Sequence, residues 1–145
     1  MYTIEEFDKA KTKVVKYILY KKRTESEVRT KFKNDIDEIM LDDIIECLKE
    51  NNYINDYEYI EKQVNEYMNL KTLSIKEIKY KLFQKGLNKN LIEDYISKNY
   101  DILLEYENKS REKIKIKKAN IMTEEEIDIY LYKKRILKLN IKYRK

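Results

Sequence analysis

The residues able to do covalent or acid–base chemistry are few and poorly companioned. The chain has no histidine, so the usual neutral-pH general base is missing. Its one cysteine, Cys47 in DDIIECLKE, can close no internal disulfide and, without histidine, fits no ordinary zinc site. It reads as a small, half-buried helix residue. The carboxylate clusters Glu124–Glu125–Glu126 and Asp42–Asp43 read as acids at or near helix N-termini, where they complement the positive end of the helix dipole. Gly86 is the only glycine, which rules out a glycine-rich phosphate loop. A serine or cysteine nucleophile has no oriented base beside it. The expectation is a chain that is not an enzyme and takes no cofactor or metal.

What these side chains can do is hold anions. The net charge is +5, yet from Lys109 onward thirteen basic residues face five acidic ones. The body is therefore mildly acidic and the C-terminal part strongly basic, which points to a polyanionic partner there. The candidate contacts are Lys76 and Lys79, then Lys133, Lys134, Arg135, Lys138, Lys142, Arg144 and Lys145. They could meet acidic protein side chains or DNA phosphates, or simply solvate a basic terminus.

The elements that must carry these cations are helices. Thr3–Glu6, Thr24–Glu27, Ser74–Glu77 and Thr123–Glu126 all fit S/T-x-x-E, in which hydroxyl and carboxylate satisfy each other's loose amides. With ten Ser or Thr and 18 Glu in the chain, chance would supply about one such capping box. The three later boxes lie about fifty residues apart. Each is followed by an apolar pair four positions apart: Val28/Phe32, Ile78/Leu82 and Ile127/Leu131, which places each pair on one helix face. Upstream, Phe7, Ala10, Val14, Tyr17 and Ile18 match Tyr57, Ile60, Val64, Tyr67 and Met68 at an offset of fifty. In the third unit Ile102, Leu103 and Tyr106 begin a stripe that runs into the charged ENKSREKIKIKK, read as helix although KIKIK alternates like a strand. NKNLIEDYISKN follows Gly86, a natural left-handed residue after a helix, and LDDIIECLKENN is its counterpart in the first unit.

The expected fold is all-α: an elongated, curved tandem array of three three-helix repeats over residues 1–53, 54–100 and 101–145. The third repeat is truncated at its last helix, only just begun at Ile141.

The segments KYILYKKRTESEVRTKF, IIECLKENNYINDYEYIEKQV and LSIKEIKYKLFQKGLNKNLIEDYI carry a family likeness. A helix ends in a basic turn; a Ser or Thr cap opens the next; a Lys-Gly turn follows; and a junction, here Tyr53-Ile54-Asn55-Asp56-Tyr57, leads into an aromatic helix. This resembles the RecX family of bacterial regulators of the RecA recombinase, with Asn55 in place of the commoner Asp. The likeness covers residues 5 to 100 well and the rest loosely, the third unit having Arg135 where the glycine would be. The resemblance implies three tandem three-helix repeats lodged along the RecA–DNA filament, opposing strand exchange and ATP hydrolysis. The expected partners are that filament and, through the basic C-terminal repeat, single- or double-stranded DNA. Two readings stay open beside it: a DNA-binding helical protein, and a helical-repeat adaptor for another protein. No N-terminal apolar run resembles a signal peptide, and no stretch approaches the ~20 apolar residues of a membrane span, so a soluble, cytoplasmic monomer is expected.

Overall fold

The computed structural model describes residues 1–136, and among them every regular element is a helix. In chain order these are α1 (Ile4–Tyr20), α2 (Glu25–Phe32), α3 (Glu38–Glu50), α4 (Asp56–Leu70), α5 (Ile75–Gln84), α6 (Lys89–Lys98), α7 (Tyr100–Lys118) and α8 (Glu124–Lys133). The four capping boxes open α1, α2, α5 and α8, each with both reciprocal hydrogen bonds formed. The KIKIK segment is helical inside α7. The last helix expected from the sequence, begun at Ile141, lies outside the described residues.

Three hydrophobic clusters succeed one another along the chain. The first gathers Val14, Val28, Ile44, Ile45 and Leu48 from α1–α3, and Ile54 closes it. The second gathers Ile60, Val64, Ile78, Leu82 and Ile96 from α4–α6, and extends to Leu103 of α7. The third is smaller: Ile114, Ile127, Leu131 and Ile136. All three apolar pairs behind the capping boxes are buried, each such side chain contributing about 1.5–3 kcal/mol.

Two details depart from the sequence reading. Asp42 and Asp43 stand in the second turn of α3, because Asp37 caps the helix earlier by accepting from the amides of Ile39 and Met40. They serve as partners instead, Asp42 to Arg29 at 2.5 Å and Asp43 to the Tyr2 hydroxyl. In α7 the stripe begun at Leu103 continues through Glu107, Ser110, Arg111 and Ile114, all buried, while Ile102 is exposed. The charged run therefore has a polar interior face.

That face belongs to a joint. Glu107 Oε1 accepts from the Ile75 amide at 2.9 Å, and Tyr106 Oη accepts from the Leu73 amide at 2.8 Å while donating to Lys71 O at 2.6 Å. The first amide of α5 is thus held by a carboxylate from α7. The same device occurs one unit earlier, where Asp56 Oδ1 of α4 accepts from the Glu25 amide of α2 at 3.0 Å. Burial raises the pKa of both carboxyl groups above the usual range, since desolvation disfavours the charged form. The first joint is also closed by the Thr24 hydroxyl, which donates to Lys85 O at 3.2 Å, and by contact between Gly86 and Ser26.

Candidate functional site

The basic candidates converge where α5 meets the end of α8. On α5, Ile75, Ile78 and Leu82 turn inward, which leaves Lys76 and Tyr80 on the outer side. On α8, Ile127 and Leu131 are buried, so Lys133 emerges exposed one half-turn away. The helix then closes with the Ile136 amide bonding back to Leu131 O at 2.9 Å, with Arg135 in the left-handed region at φ 69°. This is a Schellman closure, whose turn position normally goes to glycine. Gly86 has that conformation after α5 (φ +81°), and Asn52 after α3 (φ 62°).

The result is an open groove lined by Lys76, Glu77, Tyr80, Lys81, Gln84, Lys133, Lys134 and Arg135. Five cations thus face one carboxylate, and that carboxylate is engaged: Glu77 receives Lys134 Nζ at 3.0 and 3.1 Å. The Lys134 side chain is only 15% exposed, so it works mainly as a clasp between α5 and α8. Lys76, Lys133 and Arg135 are exposed. Lys79 goes to the other flank of α5, where it pairs with Glu93 of α6 at 3.0 Å. There it lines a second hollow with Lys76, Tyr80, Phe83, Lys89 and Ile92. Lys138, Lys142, Arg144 and Lys145 lie outside the described residues.

The equivalent groove one unit earlier is not basic to the same degree. It is lined by Tyr17, Ser26, Glu27, Thr30, Lys31, Gln84, Lys85 and Gly86, with two cations and one acid. Ser26 and Gly86 touch there; at the corresponding places in the second groove stand Lys76 and Arg135. One geometry is used twice, and charge is concentrated in the second copy.

The groove can bind anions but carries no nucleophile–base pair. Among the described residues no group of three or more His, Cys, Asp or Glu is placed to hold a metal ion. Glu124, Glu125 and Glu126 form the exposed first turn of α8, and Cys47 is half-buried in α3. No helix among the described residues is long and apolar enough to cross a membrane. Sequence reasoning missed Tyr80 and Phe83, which are 62% and 60% exposed beside these cations. Their signal was present: Lys76, Tyr80 and Phe83 recur at helical spacing, out of phase with the Ile75/Ile78/Leu82 face. A chain with fourteen tyrosines made each one look incidental.

No family model matches the chain. Among curated proteins, the regulatory protein RecX of Finegoldia magna is 30% identical over 128 residues, covering 88% of this chain and 58% of that protein. That of Clostridium beijerinckii is 33% identical over 129 residues, covering 87% and 57%, and that of Clostridioides difficile is 31% identical over 104 residues, covering 72% and 49%. The chain thus spans about half to three-fifths of the length of these relatives. The crystal structure of RecX from Lactobacillus salivarius superposes with a TM-score of 0.76 at 28% identity, covering 91% of this chain and 89% of that one. A second crystal structure, of a regulatory protein RecX, gives a TM-score of 0.77 at 23% identity over 91% and 69% of the two chains, a likeness of fold. By sequence along most of its length, and by the order and packing of its helices, the chain belongs to the RecX family.

Proposed function

We propose that this chain is a RecX-like modulator, mainly an inhibitor, of the RecA recombinase, docking along the RecA–DNA filament and opposing strand exchange and ATP hydrolysis. The observation that carries the reading is the kinship to proteins named regulatory protein RecX over 88% of the chain. The reading takes the three clusters as cores of three tandem units, over residues 1–53, 54–100 and 101–145, strung into an elongated, curved scaffold. Such a scaffold acts by binding one filament state better than another, because only unequal affinity shifts an equilibrium. The ATP turned over is the partner's, and the modulator, a cytoplasmic monomer, contributes position and charge.

Titration of the full chain into RecA on single-stranded DNA tests this, with ATP hydrolysis and strand exchange followed in parallel. Both should fall as the chain approaches stoichiometry with RecA. Unchanged rates at saturating chain would overturn the proposal.

A further inference from the structure

We infer that the two hollows flanking Tyr80 form a binding site for single-stranded nucleic acid, with phosphates on Lys76, Lys133 and Arg135 and bases against the exposed rings of Tyr80 and Phe83. The site requires no RecA, so it stands or falls separately from the function proposed above.

Charge is the first support. The two hollows together hold seven cations and two acids, and both acids are already paired, Glu77 with Lys134 and Glu93 with Lys79. Residues 137–145 contribute four cations and no acid to the chain's net charge of +5. The described residues are thus almost neutral overall, yet this surface is strongly positive, the asymmetry a polyanion reads.

Backbone strain is the second. Arg135 occupies a left-handed position (φ 69°) where the preceding unit has Gly86. A non-glycine, non-Asn residue is held there at a conformational cost, and strain of this kind concentrates at binding sites. What arginine supplies and glycine cannot is a cation on the groove wall, within 6.0 Å of the exposed Tyr132 ring.

The aromatics decide between strand states. Tyr80 and Phe83 stand among the cations with their rings largely in solvent, and Tyr80 and Lys76 line both hollows. A duplex keeps its bases stacked inside and offers such rings nothing. A single strand offers a base face beside each phosphate, and cationic grooves set with aromatic platforms are how such strands are held.

The test is fluorescence anisotropy of the full chain with a labelled oligothymidylate of about 20 nucleotides, and with the corresponding duplex, across a salt series. With about three phosphates engaged, log affinity should fall with log salt at a slope near −2. Tyr80→Ala and Phe83→Ala should each weaken single-strand binding at least about fivefold, while Tyr80→Phe keeps the ring and binds like the parent. Duplex binding should not respond to either alanine. Arg135→Gly should lower the salt slope by about 0.7 without lowering the thermal midpoint. Absence of binding by the parent chain at low salt would overturn the proposal. So would parental single-strand affinity in both alanine variants, or equal losses on single strand and duplex. If Tyr80→Ala instead impairs action on RecA while leaving oligonucleotide binding intact, the face docks protein and the nucleic-acid site is refuted.

Discussion

Gly86→Ala is the sharpest probe of how the first two helical sets are joined. Two costs add. At φ +81° an alanine sits in the left-handed region, worth roughly 1–2 kcal/mol. Its methyl would also lie 2.3 Å from Ser26 Oγ and 2.5 Å from Ser26 Cβ. The hydroxyl can rotate away, but the Cβ is fixed by the backbone of α2, so α2 and the α5–α6 turn must part; overpacking of this kind costs about 1–3 kcal/mol. The sum, about 2–5 kcal/mol, should lower the thermal midpoint by roughly 5–15 °C in a chain of this size. Circular dichroism melts and urea titrations read it directly. A double-mutant cycle separates the parts. Ser26→Gly should recover the steric share, leaving a coupling of about 1–3 kcal/mol, whereas Ser26→Ala should recover little because the 2.5 Å approach survives. Either a Gly86→Ala penalty below about 0.5 kcal/mol or no rescue by Ser26→Gly would refute the account of the joint.

Three further outcomes follow from the same structure. Arg135→Gly releases about 1–2 kcal/mol of strain against about 0.5–1 kcal/mol of added chain entropy; the melt should hold or rise slightly, and a loss above about 1 kcal/mol would contradict the strained-turn reading. Glu107→Ala leaves the buried Ile75 amide unpaired and should cost about 1–3 kcal/mol; Glu107→Gln, which still accepts, should stay within about 1 kcal/mol of the parent. Since burial raises the Glu107 pKa, the folded state binds its proton more tightly than the unfolded one, and the charged form costs stability above that pKa. The stability of Glu107→Gln relative to the parent should therefore be greatest above the raised pKa and shrink as pH falls through it toward the ordinary carboxyl value of 4.5, as urea titrations at several pH values would show; a gap constant with pH would exclude the burial effect. Thr24→Val loses both its cap and the bond to Lys85 O, about 2 kcal/mol. Thr123→Val, at an exposed cap, loses about 1 kcal/mol; equal losses by denaturation would mean the cross-joint bond contributes nothing.

The helices were legible wherever local rules govern. Four capping boxes and three apolar pairs were read from spacing alone, and Gly86 announced its turn because left-handed backbone leaves few alternatives. The polar seam of α7 was not legible. Glu107 and Arg111 sit in a run of charges that looks like a solvated face; only the arrival of the α5 N-terminus, with a bare amide at Ile75, makes burying that glutamate favourable. The candidate surface was half legible. Lys76, Lys133 and Arg135 were picked out by charge, but that they share one groove depends on how α8 lies against α5, which no local pattern encodes. Lys134 and Lys79 were named on the same ground, and each turns out to clasp a neighbouring carboxylate.

The carboxylates that reach back to cap an earlier helix give this chain a direction. The opening of α2 leans on Asp56 and that of α5 on Glu107, so each helical set lends a group to its predecessor. Stripping a downstream set leaves an upstream helix with a raw end; stripping the first set leaves a spare acid and the Lys85 carbonyl without its Thr24 donor. Melting should therefore advance like a row of tiles lifted from the carboxyl-terminal side, each loosening the one it overlapped. A partner that grips the α5–α8 surface would pin the row at the place where it begins to lift.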